Sequence, residues 1–114
     1  MTTVYGIKNC DTVKKALKWL DKNNIAYTFH DFRADGIDEK LVSDFTNKLD
    51  WELLLNKRST TFRLLDDEIK NNLNETTFKQ LILSQPTLIK RPVLLSNNTL
   101  HLGFKDEQYQ VIFN

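Results

Sequence analysis

A chain of 114 residues, 40% of them hydrophobic, is long enough to bury a core as one domain without covalent staples. Its 16 basic and 15 acidic side chains leave a net charge of +1, so no global field draws it toward nucleic acid or a membrane surface. A lone cysteine excludes an internal disulfide, no apolar run is long enough to cross a bilayer, and without a signal-peptide pattern the expected location is the cytoplasm.

Thr2 to Ile7 alternates, with Val4, Tyr5 and Ile7 apolar, and reads as a short strand. Lys8-Asn9-Cys10-Asp11 then leads into a helix whose buried face is Val13, Ala16, Leu17 and Leu20. Cys10 therefore stands at a helix N-terminus, where backbone N–H groups and the helix dipole favour the nucleophilic thiolate form. Lys8, Lys14 and Lys15 flank it, and Thr12 in the first helical turn can bond the sulfur or act as a local cap. Asn23-Asn24 stops the helix. Ile25, Tyr27 and Phe29 alternate with Ala26, Thr28 and His30 in a second strand, and a strand–helix–strand unit of this length implies parallel pairing.

Ala34-Asp35-Gly36 is a turn, after which Asp38 caps a helix with Ile37 and Val42 in the two staple positions. Leu41, Phe45 and Leu49 continue its apolar face. Asp50 to Leu55 reads as another turn or two of helix, and Asn56 to Thr61 as a polar loop carrying Lys57 and Arg58. These two cations either close over a site or are solvated charge. Residues 64–73 and 76–84 read as two further helices, ended at Gln85-Pro86. Arg91 to Leu95 and Thr99 to Leu102 form a hairpin across Ser96-Asn97-Asn98, because asparagine tolerates the positive φ of tight turns. Asp106 is the expected N-cap of a last helix that buries Tyr109, Ile112 and Phe113.

The order β-α-β, helical middle, β-β-α is that of an α/β, thioredoxin-like fold. It predicts a four-stranded mixed sheet in a single domain, 1–114, with helices inserted at about 38–84. In that fold a cysteine at the start of the first helix faces a proline at the head of the third strand, the places of Cys10 and Pro92. His30 and His101 lack partners at ligand spacing, so no metal is expected, and Trp19 and Trp51 read as packing anchors.

Four segments, Tyr5-Gly6-Ile7-Lys8-Asn9-Cys10-Asp11-Thr12, Leu54-Leu55-Asn56-Lys57-Arg58, Pro86-Thr87-Leu88-Ile89-Lys90-Arg91-Pro92 and Leu102-Gly103-Phe104, resemble the ArsC-type arsenate reductases and their Spx-type and YffB-type relatives, nearest the YffB-like branch. The resemblance implies an ArsC-type fold, a cis bond before Pro92, and glutathione-dependent thiol reduction with Cys10 and Arg91 as the catalytic pair. Lys8, Asn9, Thr12, Arg58 and Pro92 are then the expected substrate-binding residues, and glutathione the expected co-substrate. Two departures narrow this. Arsenate reductases of the family hold their oxyanion with three arginines, of which Arg91 is present, whereas Glu52 replaces one and Lys105 only approximates another. Spx-type regulators often carry Cys-X-X-Cys, but Val13 stands three residues after Cys10. The resemblance thus leaves three readings. They are a monothiol reductase, a regulator that binds RNA polymerase as Spx-type relatives do, and, disfavoured by the missing arginines, an arsenate reductase working with glutathione and glutaredoxin.

Overall fold

The computed structural model describes residues 1–114, and its elements follow the predicted order. β1 (Thr2–Gly6), α1 (Asp11–Lys22) and β2 (Thr28–Asp31) come first, five helices follow, and β3 (Val93–Ser96), β4 (Thr99–Leu102) and a terminal helix close the chain. The strands form one sheet in the order β2-β1-β3-β4. β1 is parallel to β2 and antiparallel to β3, which is antiparallel to β4, so the sheet is mixed, as the α/β thioredoxin-like reading requires. By internal contacts the chain sorts into two compact units, residues 1–35 with 91–114, and residues 36–90.

In the first unit Val4 and Leu94 are partners across β1 and β3. They share a cluster with Ala16 and Leu20 of α1 and with Tyr109. The apolar positions of α1 recur at helical spacing, so Val13, Ala16 and Leu20 all face inward, and burying each larger side chain stabilises the fold by about 1.5–3 kcal/mol. Asn24 at φ 57 turns the chain out of α1, and the Ile25 N–H donates to the Leu20 carbonyl at 3.0 Å. This turn delays pairing, so β2 begins at Thr28 and not at Ile25. Asn97 and Asn98, at φ 51 and 64, fill both central positions of the β3–β4 hairpin, where the twist demands positive φ.

The second unit holds α2 (Glu39–Lys48), α3 (Trp51–Leu54), α4 (Thr60–Arg63), α5 (Asp67–Asn71) and α6 (Glu75–Ser84). Asp38 caps α2 as expected, its Oδ1 accepting the Leu41 N–H at 2.9 Å, and Asn74 with Thr77 forms a reciprocal capping box on α6. Val42, Phe45, Phe78 and Ile82 of α2 and α6 are buried. The region after Asn56 differs from the sequence reading. Ser59 caps a helix already under way at Thr60, accepting the Phe62 N–H at 3.1 Å, so the polar loop is shorter and the expected helix over 64–73 contracts to α5. Past Gln85 the chain continues through a 3-10 turn, Pro86–Leu88. The Asn56 N–H then donates to Leu88 and the Lys90 N–H to Leu54, at 2.7 and 2.8 Å. No helix is long and apolar enough to cross a membrane.

The terminal helix, α7 (Asp106–Ile112), is capped by Lys105 rather than Asp106. The Asp106 carboxylate sits one position later, where it favours the positive helix end and accepts from Gln110 Nε2 at 2.8 Å.

Two substitutions test this packing. A Cβ on Gly6 would lie 2.7 Å from Val13 Cγ2, so Gly6→Ala is expected to destabilise the protein by about 1–3 kcal/mol in urea denaturation. The buried Tyr109 hydroxyl has no hydrogen-bond partner, and burial pushes its pKa well up. Phe104, Trp19 and Phe113 meet its ring at 4.7, 5.5 and 5.9 Å, contacts that phenylalanine retains. Tyr109→Phe should therefore raise stability by about 1 kcal/mol, read as a higher urea midpoint at unchanged slope.

Candidate active site

Tyr5 of β1 pairs with Val93 at the head of β3, and Gly6 pairs with Asp31 at the end of β2. The loop Ile7-Lys8-Asn9 therefore leaves the sheet with Pro92 on one side and the end of β2 on the other. It delivers Cys10 to the N-cap of α1 at φ −137 and ψ 121, where the Cys10 carbonyl accepts the Lys14 N–H at 2.9 Å. The Cys10 side chain makes no capping hydrogen bond and is a half-exposed free thiol. Lys8 and Asn9 are exposed, and Thr12 is half-buried.

Across the sheet register, Arg91 is half-buried with its Nε shut off from solvent. The Arg91–Pro92 peptide bond is cis, as the resemblance implies. Pro92 is buried, and its carbonyl accepts the Gly103 N–H at 2.9 Å, which ties the head of β3 to the end of β4. Lys8, Asn9, Cys10, Thr12, Arg91 and Pro92 thus belong to one end of one sheet. Arg58 belongs to the second unit. It is exposed and lines a hollow there with Glu52, Lys57 and Lys90, its N–H donating to Asn56 Oδ1 at 3.1 Å.

One residue at this end of the sheet escaped the sequence reading. Asp31 is 9% exposed. Its Oδ1 accepts the N–H groups of Arg33 and Ala34 at 2.8 and 3.3 Å, and its Oδ2 accepts the Lys8 N–H at 3.2 Å. An aspartate two residues before Arg33 and five before Gly36 carries the signal of a side chain that closes a local turn, which is how it can be found. Of the histidines, His30 packs tilted against Tyr5 and edge-on to Phe32, with ring centroids 5.1 and 6.0 Å apart. His101 is half-buried and burial lowers its pKa. No group of His, Cys, Asp and Glu side chains is placed to hold a metal ion. Trp19 packs edge-on to Tyr109 and Trp51 against Phe78, at 5.5 and 5.7 Å, so both are packing anchors.

A family model described as the ArsC family matches residues 5–112. An uncharacterised protein of Haemophilus influenzae is 50% identical over 113 residues, 99% of either chain. Global transcriptional regulator Spx 2 of Bacillus anthracis is 33% identical over 112 residues, covering 95% of this chain and 83% of the regulator. Among solved structures, the YFFB (PA3664) protein superposes with a TM-score of 0.93 at 42% identity, over 100% of both chains.

The pH dependence of stability tests the Asp31 arrangement. Burial pushes its carboxyl up, but the N–H groups of Arg33, Ala34 and Lys8 and the Arg33 charge together outweigh this and hold it below the usual value of 3.8. A folded-state pKa below the unfolded one means that the ionised group stabilises the fold above that value, and that this stabilisation disappears as pH falls through the folded pKa. Asp31→Ala is expected to cost on the order of 2 kcal/mol at neutral pH. In urea titrations at a series of pH values the gap to the parent should narrow below pH 3.8; a gap of constant size would count against the arrangement.

Proposed function

The chain belongs to the ArsC family, and within it we propose a monothiol reductase that uses Cys10 as nucleophile and glutathione as the external thiol. The observation that carries this reading is the placement of the chain's single cysteine. It is half-exposed at the N-cap of a 12-residue helix, with a side chain that caps nothing. A helix N-terminus carries backbone N–H groups without intrahelical partners and the positive end of the helix dipole, a setting that favours an anionic reactant there.

In the first step the Cys10 thiolate attacks the glutathione sulfur of a mixed disulfide. The Cys10–glutathione disulfide forms, the substrate's S–S bond breaks, and the substrate leaves as a thiolate that takes a proton from water. In the second step the thiolate of reduced glutathione attacks the glutathione sulfur of that adduct, releasing oxidised glutathione and restoring the Cys10 thiolate. An external thiol is required because the chain has no second cysteine. Arg91 grips a glutathione carboxylate by charge-assisted hydrogen bonds, while Lys8 and Asn9 shape the loop that receives the peptide and Thr12 lines the first helical turn. Pro92 supplies the backbone beside the adduct.

The 33% identity to an Spx regulator over 95% of this chain favours a second reading, a regulator that binds RNA polymerase. That reading requires no turnover.

Incubation with oxidised glutathione followed by intact-mass and peptide mass spectrometry separates the two. The expected result is one glutathione adduct on Cys10, removed by reduced glutathione and absent from Cys10→Ser. Arg91→Ala should slow adduct formation about tenfold. If the parent protein forms no adduct, the reductase reading fails and the regulator reading takes its place.

A further inference from the structure

Two residues before Cys10, the Lys8 N–H meets a carboxylate that sits on a different strand. We propose that Asp31 is a positioning residue, whose buried carboxylate ties the turn after β2 to the loop before Cys10 and so fixes the direction in which the sulfur is presented. The proposal rests on the reading of Cys10 as the nucleophile.

Asp31 is itself held on three sides. Its Cα pairs with that of Gly6, and the next N–H, that of Phe32, donates to the Gly6 carbonyl at 2.8 Å. Its own N–H donates to Asp35 Oδ2 at 2.9 Å, and its carbonyl accepts the Asp35 N–H at 2.7 Å. The carboxylate is therefore mounted on the rigid end of the sheet and not on a free loop. A charge at 9% exposure is costly unless donors meet it, and here three backbone N–H groups do so. Arg33 and Ala34 close the local turn on Oδ1, which any Asx turn can achieve. The Lys8 bond is different in kind. It spans 23 residues of sequence and adds nothing to the turn after β2.

The loop between Gly6 and Cys10 has few other ties. Lys8 and Asn9 are exposed, and Ile7 is buried. Both ends of this short connection are fixed, so releasing the Lys8 N–H would leave only the exposed Lys8-Asn9 pair able to shift among its few remaining paths, and displacement of a reacting atom by about 1 Å can lower a rate by about 100-fold.

Asp31→Asn isolates the contact. The amide oxygen is drawn to the side where Arg33 and Ala34 converge, which sets the amide NH2 against the Lys8 N–H, donor facing donor. In the folded variant, with near-UV circular dichroism equal to the parent's, reduction of a glutathionylated peptide by reduced glutathione should fall about tenfold in kcat with KM unchanged. Amide hydrogen exchange at Lys8 should accelerate about tenfold beyond the change at Val4, which reports global opening. A rate that falls only with the folded fraction, or Lys8 exchange that tracks Val4, overturns the proposal.

Should Asp31→Asn fail to fold, the parent protein decides the matter. In an acid titration followed by NMR, the amide protons of Lys8, Arg33 and Ala34 should move together as one carboxyl protonates. A Lys8 amide that does not follow the other two overturns the proposal. Failure of the reductase reading shows separately, as absence of a Cys10 adduct in the parent, while the exchange and titration results still judge Asp31.

Discussion

Where β1 ends, the backbone of Gly6 approaches α1 so closely that a Cβ would stand 2.7 Å from Val13 Cγ2, and this approach sets the path of everything between them. Three residues, Ile7 to Asn9, must carry the chain from the strand end to the helix N-cap, with both ends fixed by packing. Short connections between fixed ends have few conformations. Glycine is required here for its missing side chain and not for its backbone freedom, since a larger residue would push α1, and Cys10 with it, away from the sheet.

The start of α1 also trades stability for an available sulfur. Elsewhere this chain caps its helices with side-chain oxygens: Asp38 on α2, Asp50 on α3, Ser59 on α4 and Asn74 on α6. α5 and α7 also lack such caps. α1 is the longest helix of the chain at 12 residues, and its N-cap is a cysteine whose side chain bonds nothing. A serine or aspartate there would add about 1 kcal/mol. The N–H groups of the first turn are thereby left without a side-chain cap, as the proposed role of this helix start requires.

What the sequence disclosed was what repeats or punctuates. The strand–helix–strand opening followed from apolar spacing, the hairpin from Asn97-Asn98, and the position of Cys10 from the break between two periods. The boundaries that moved did so where a single hydrogen bond decides them. Ser59 starts α4 inside a stretch whose composition reads as loop, and Lys105 rather than Asp106 precedes α7 because the aspartate lies inside the first turn. Asp31 was missed for a related reason. Its partners are backbone N–H groups, which every residue but proline possesses, so no side-chain pattern marks the Lys8 contact across 23 positions. Arg91 and Pro92 could be placed near Cys10 from the fold's strand order, whereas Arg58, on the helical unit, gains no position from that order.

The absence of a second cysteine is coupled to the packing at Gly6. A resolving thiol three residues after Cys10 would occupy position 13, one helical turn further on and on the buried face of α1. Val13 is 0% exposed, and its branched side chain is the group that Gly6 accommodates. Cysteine has one heavy atom beyond Cβ where valine has two, so the exchange would open space in a site already built around a glycine, and unfilled volume in a core is destabilising. The same contact that fixes the angle of α1 over the strand end therefore favours valine over a second thiol. In the proposed monothiol mechanism, this is why the thiol that resolves oxidised Cys10 has to arrive from solution, at the half-exposed helix start.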